Sequence, residues 1–196
     1  MVVAKGLVIA QDVEGRVRAF RPGTGDTAWS YDPPVHPWKI ILNGLSYDPA
    51  TGLVFAGTGH RMAALDAATG RVVWKDAGWG RRGEACADTS GIGEGCIVSS
   101  GNWEGMFCND LKTGKLLWSV IDGTRRFPGA TPVIRDGRIH TVAASSYLEI
   151  DLKTGKTLRE KRLRDGMQVT TRVLMTERHL IFGSVKGGLV ALERDT

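Results

Sequence analysis

The stretch Asp66-Ala67-Ala68-Thr69-Gly70-Arg71-Val72-Val73-Trp74 recurs 44 residues later as Asp110-Leu111-Lys112-Thr113-Gly114-Lys115-Leu116-Leu117-Trp118. Two outlying copies keep the core of it, Thr24-Gly25 and Thr154-Gly155, so successive Thr-Gly pairs stand 45, 44 and 41 residues apart. A further step of 42 residues lands on Thr196. Aligned on these threonines, the position three upstream holds Arg21, Asp66, Asp110, Asp151 and Glu193, and the one before it Phe20, Leu65, Asn109, Ile150 and Leu192. Five residues after the threonine come Trp29, Trp74, Trp118 and then Arg159. A period of this length, sustained from end to end, marks a repeat architecture.

Each copy has one internal grammar. An apolar run such as Leu53–Gly57 precedes a polar turn, a second run covers Met62–Asp66, the Thr-Gly element turns the chain, and Arg71–Trp74 closes the unit. The acid of that element can accept backbone N–H groups ahead of it, and Gly takes the positive φ that re-enters a ladder. A further run lies upstream, as in Thr131–Arg135 before Arg138–Ala143 and Thr170–Met175 before His179–Gly183. Four short antiparallel strands per ~42 residues make the blade of a β-propeller. Composition agrees. Gly is 26 of 196 residues, about twice the usual ~7%, which suits many tight turns, and no ten-residue window keeps helical periodicity. The expected fold is all-β, with four to five four-stranded blades in repeats of about 1–30, 31–75, 76–119, 120–160 and 161–196.

Asp66-x-x-Thr69-Gly70-x-x-x-Trp74 and its partner at Asp110–Trp118 resemble the tryptophan-docking repeat of PQQ-like, quinoprotein-type propellers. That family includes quinoprotein alcohol dehydrogenases and BamB-type outer-membrane assembly lipoproteins. The resemblance covers the whole chain and departs at Arg21, where the acid is lost, and at Arg159, where the tryptophan is lost. It implies that Trp29, Trp74 and Trp118 pack between neighbouring blades. Family rings close with seven or eight blades, so the chain is expected to be part of a larger ring. On alignment the first copy has almost no first strand at Met1-Val2-Val3, and the last copy lacks its outermost strand. Edges left open in this way are expected to drive self-association.

The resemblance implies a non-catalytic scaffold or binding module of the BamB type, working without a cofactor. The alternatives are a fragment of a PQQ-dependent quinoprotein dehydrogenase, with PQQ and calcium, and a sensory or carbohydrate-binding ectodomain of a larger protein. It also favours a periplasmic or extracytoplasmic location, although Met1–Gln11 lacks the basic start and long apolar core of a signal peptide.

No catalytic residue is assigned. His36, His60, His140 and His179 fall in different repeats without ligand spacing and read as structural or solvated. Gly91-x-Gly93-x-Gly95 lacks the strand-then-helix context of a dinucleotide loop and reads as a hairpin turn. Asp88, Glu94, Asn102, Glu104 and Asn109 could supply oxygen ligands, but no spacing compels a metal site. The dehydrogenases of the family usually carry a vicinal cysteine pair, whereas Cys86, Cys96 and Cys108 are isolated; Cys96 and Cys108 read as core thiols. The net charge of +5 comes without a run of four or more Lys/Arg, which argues against nucleic acid. No apolar run approaches the ~18 residues of a membrane-spanning helix.

In a four-stranded meander the links between blades and the turns between second and third strands emerge on one face. Those segments carry Trp38, Trp79, Arg81, Arg82, Arg125 and Arg126 in the links and Trp103 in a turn, with Tyr147 read as a turn residue too. Arginines among exposed aromatics compose binding surfaces. This face is the expected binding site, for a protein or for an acidic or carbohydrate ligand.

Overall fold

A computed structural model describes residues 1–34, 44–58, 61–75, 90–100, 105–121, 131–143, 145–163, 173–184 and 188–194. The described residues are all-β, with five antiparallel sheets whose strands follow chain order. The first sheet holds β1 (Val2–Ala4), β2 (Leu7–Gln11), β3 (Val17–Phe20) and β4 (Thr27–Tyr31). The second holds β5 (Ser46–Asp48), β6 (Leu53–Thr58), β7 (Arg61–Asp66) and β8 (Val72–Lys75). The third runs through β9 (Ser90–Gly93), β10 (Cys96–Ser100), β11 (Gly105–Asp110) and β12 (Leu116–Ile121). The fourth comprises β13 (Val133–Arg135), β14 (Arg138–Ala143), β15 (Ser146–Asp151) and β16 (Thr157–Arg162). In the fifth the described residues form β17 (Leu174–Met175), β18 (His179–Ser184) and β19 (Gly188–Glu193).

The opening strands of consecutive sheets lie against one another, β1 by β5, β5 by β9 and β9 by β13. All five opening strands line a common cavity of about 640 Å³, through residues such as Val3, Tyr47, Ile92, Ile134 and Leu174. This is the radial stacking of propeller blades around an axis. Gly91 is required there, because a Cβ would sit 2.3 Å from the Pro132 carbonyl oxygen of the next sheet.

One expectation is corrected. The first copy does not lack its first strand: β1 pairs Val2 with Ile9, Val3 with Val8 and Ala4 with Leu7, and its three residues equal the lengths of β5 and β13. Alignment undercounted it because three paired residues suffice for an opening strand in this fold.

The Asp-x-x-Thr-Gly elements close the hairpins between third and fourth strands. Asp66 Oδ1 accepts the Thr69 hydroxyl at 2.8 Å and the Thr69 and Ala68 amides at 2.9 and 3.1 Å, while Gly70 N donates to the Asp66 carbonyl. Asp110 repeats this with Thr113, and Asp151 with Thr154. In the first sheet Arg21 cannot accept, so the turn keeps the backbone bond from Gly25 N to the Arg21 carbonyl, and Thr24 bonds Asp26 instead. The turn glycines Gly25, Gly70, Gly114 and Gly155 all have φ between +71° and +78°, a region costly for any residue with a Cβ.

Candidate functional site

Sheets one to four are joined by one device. Trp29 on β4 crosses to the second sheet, where its Nε1 donates to the Ala67 carbonyl at 3.1 Å. Trp74 on β8 donates to the Leu111 carbonyl at 3.0 Å, and Trp118 on β12 to the Leu152 carbonyl at 2.7 Å. Each indole lies flat over a turn glycine: a Cβ on Gly70, Gly114 or Gly155 would stand 2.6, 2.5 or 2.7 Å from the ring. Here the glycine serves both the positive φ and the close approach of the indole. Among the described residues no indole lies over Gly25 and no atom comes within 4 Å of a Cβ built there, so the loss of the acid at Arg21 falls on a turn that receives no described tryptophan.

Register identifies the residues that share the face of each tryptophan. In the first sheet Ile9 pairs with Ala19 and Ala19 with Trp29. The second sheet repeats this as Phe55–Ala64–Trp74 and the third as Val98–Cys108–Trp118. A small residue stands beside the indole in each row, and the ladder bulges immediately after it. In the second sheet Phe55 and Trp74 meet with ring centroids 5.8 Å apart. These rows form the cores between sheets.

The fourth sheet puts His140–Glu149–Arg159 in the same row. Neighbouring positions on that face change with it. Leu7, Leu53 and Cys96, which open the second strands, correspond to Arg138, and Val17, Met62 and Met106 correspond to Tyr147. Five apolar positions have become polar together. Three of the replacements are nonetheless buried, His140 at 5%, Tyr147 at 6% and Glu149 at 7% exposure. His140 Nδ1 and the Tyr147 hydroxyl are 2.7 Å apart with near-parallel rings, and Arg138 pairs with Glu149. Burial holds His140 below the ordinary histidine range against the opposing pull of Glu149. Burial, with help from Glu149, pushes the Tyr147 hydroxyl up to about 12.

These side chains line a cavity of about 290 Å³ bounded on the far side by Leu180 and Leu192 of the fifth sheet and by Arg194 just after it. Beneath it the two sheets meet through apolar contacts of Val142, Leu163, Val173, Leu180 and Phe182. The sequence flags Arg159 as a departure but leaves His140 as structural or solvated, and places Tyr147 on an exposed turn. The latter is corrected: Tyr147 is the second residue of β15 and packs inward against Phe182 and its neighbours. Aligning the face as a column, rather than the tryptophan alone, is the signal that would have found this cluster.

Trp38, Trp79, Arg81, Arg82, Trp103, Arg125 and Arg126 all lie outside the described residues. The strands that flank them do fix where their segments start and finish. The ends of β4, β8 and β12, the starts of β5, β9 and β13, and the β10–β11 connection fall at one end of the sheets. Among the other candidates, Asp88, Asn102 and Glu104 are also outside the described residues. Asn109 is buried and its amide donates to the Gly114 carbonyl at 2.9 Å, while the Glu94 carboxylate accepts the Gly137 amide of the fourth sheet at 3.1 Å. Both are structural contacts within and between sheets. Cys108 is buried, Cys96 partly so, both are unbridged, and burial raises both thiols. Cys86 falls outside the described residues. Among the described residues no three His, Cys, Asp or Glu side chains gather as a metal site, and no helix is long and apolar enough to cross a membrane.

Comparison with known proteins places this geometry. A family model described as outer membrane protein assembly factor BamB matches residues 1–161 and again 58–196. The outer membrane protein assembly factor BamB of Burkholderia pseudomallei is 26% identical over 204 aligned residues, which cover 99% of this chain and 52% of that protein. The chain thus spans about half the length of the curated relative it matches. The crystal structure of BamB from Moraxella catarrhalis superposes with a TM-score of 0.74 at 19% identity, covering 97% of this chain and 56% of that one. Quinohemoprotein alcohol dehydrogenase from Comamonas testosteroni gives the same score at 17% identity, covering 98% and 40%. At such identities the two structures attest the fold, a propeller of PQQ-like blades.

Proposed function

We propose, for a chain that belongs to the family of the outer membrane protein assembly factor BamB, that it is a non-catalytic propeller scaffold which binds protein in outer-membrane protein assembly. The observation that carries this is the family match, which runs from residue 1 to residue 196 in two overlapping copies. The physics of the fold supports it. Indole-over-glycine latches hold the sheets as a stiff frame, and frames of this kind present binding residues on the segments between strands. Those segments carry Trp38, Trp79, Trp103 and the arginines named above, and the described strand ends on either side of them fall at one end of each sheet. Guanidinium groups pair bidentately with carboxylates and stack on aromatic rings, so the partner surface is an acidic segment of protein. The scaffold needs neither quinone nor calcium for this.

The test is made in the organism that carries the gene. Deleting it should lower the abundance of outer-membrane proteins, and wild-type protein should restore them where an Arg81→Glu/Arg125→Glu variant does not. Binding of an acidic peptide to the isolated protein should weaken as ionic strength rises past ~0.15 M, because exposed ion pairs are screened. Unchanged outer-membrane protein levels after deletion would contradict the role. Quinone- and calcium-dependent dye reduction would contradict its non-catalytic character.

A further inference from the structure

The cavity between the fourth and fifth sheets carries an inference that does not depend on the protein-binding role. Burying ionised groups costs several kcal/mol unless they are well paired, and a well-packed apolar substitute is often as stable or more so. The same frame closes three neighbouring interfaces with the apolar substitute, Trp29, Trp74 and Trp118 over glycine. Folding therefore does not demand His140, Glu149 and Arg159 in the fourth row, and Arg138 and Tyr147 beside it. Their joint arrival on one face, around open volume, marks a site.

We propose that this cavity binds a small oxyanion, a carboxylate or phosphate group on a body no larger than an amino acid. The volume of about 290 Å³ lies at the lower limit of small-molecule sites. Charge selects the ligand. Besides Arg138 and Arg159 the wall holds Arg135, Lys161 and Arg194, the last also donating to the Thr176 carbonyl, against Asp136, Glu149 and Glu193, so five cationic and three acidic residues line it. Arg138 already neutralises Glu149, and Arg135 stands 3.5 Å from Asp136. Hydrogen bonds from guanidinium to an oxyanion are short and about twice as strong as neutral ones. His140 adds direction. When the Tyr147 hydroxyl donates to Nδ1, the neutral ring carries its proton on Nε2, which then donates to an oxygen of the ligand.

The experiment follows the histidine ring nitrogens by NMR in the ¹⁵N-histidine-labelled chain, adding succinate or, separately, inorganic phosphate at constant ionic strength. The His140 signals should move and saturate with at least one of the two anions, while those of the other three histidines move little. Saturation by succinate alone assigns a carboxylate site, by phosphate alone a phosphate site, and by both a general oxyanion site. Arg159→Gln should weaken the midpoint about tenfold, the loss of one charged hydrogen bond. Glu149→Ala/Arg159→Trp, which restores the row of the other sheets, should abolish the response. No saturable movement of His140 with either anion overturns the proposal, whatever the variants do. So does a midpoint that Arg159→Gln leaves unchanged.

Discussion

The interface between the second and third sheets and that between the fourth and fifth are built at corresponding positions from opposite chemistry. In the former, Phe55, Ala64 and Trp74 close an apolar seam across which the indole N–H donates to the Leu111 carbonyl. In the latter, His140, Glu149 and Arg159 occupy the corresponding places around a cavity, and apolar contact is confined to the layer beneath. The backbone pairing is the same in both, down to the ladder irregularity after Ala64 and after Glu149. The strand ladder of a blade is therefore indifferent to what its face carries. The face decides whether an interface serves as a latch or as a chamber. Repeat architectures allow this because each unit contacts only its neighbours.

The sharpest way to break that contrast is at the latch. Trp74→Ala should cost about 3–5 kcal/mol in urea unfolding, a large-to-small change in a core. Arg159→Ala, at the corresponding place in the fourth sheet, should cost less than about 1 kcal/mol, the usual range away from packed features. Equal losses would erase the distinction. Next in size is the glycine under the ring. Gly114→Ala meets a left-handed backbone worth about 1–2 kcal/mol and an indole at 2.5 Å, overpacking worth about 1–3 kcal/mol. A total of about 2–5 kcal/mol is expected, whereas Gly25→Ala should lose only the backbone part, since no described atom comes within 4 Å of its Cβ.

The latch and the fold were legible in sequence because both rest on local rules repeated three times. Asp66, Thr69 and Gly70 fold a turn whose hydrogen bonds stay within five residues, and Trp74 recurs at a constant offset from that turn. The opening strand β1 was not legible, since three residues paired across a two-residue turn carry too little pattern to distinguish from a frayed end. The chamber was missed for another reason. His140, Tyr147 and Glu149 alternate with apolar residues along their strands, which in sequence reads as a solvated face. Only the packing of the fifth sheet against them makes it an interior. The predicted loop site stays an expectation about residues outside the described ones.

Smaller effects sharpen the comparison by pH. Thr113's hydroxyl and backbone amide hold the Asp110 carboxyl below its ordinary value of 3.8. A folded value below the unfolded one gives stability that is complete above the unfolded value and lost as pH falls through the folded one. Asp110→Ala should therefore cost about 1 kcal/mol near neutrality, and its difference from wild type should shrink as pH falls below 3.8. A constant difference across that range would deny the carboxylate its part in the turn. The smallest effect belongs to the chamber. Burial lowers His140, so the unfolded chain binds its proton more tightly and stability falls as pH drops below about 6.5. In an NMR titration His140 should have its midpoint below the ordinary histidine value of 6.5; a midpoint above it would place Glu149, not burial, in control.

The central claim is that the latch row and the chamber row are interchangeable in frame and different in purpose. Exchanging them tests it, with urea unfolding as the measurement. Glu149→Ala/Arg159→Trp should raise stability by about 1–3 kcal/mol, as replacement of buried charge by packed apolar groups does. The reverse exchange, Ala64→Glu/Trp74→Arg, should lower it by more than about 4 kcal/mol, through a lost core side chain and newly buried charge. If the first exchange destabilises as much as the second, the polar row is structural and the account is wrong.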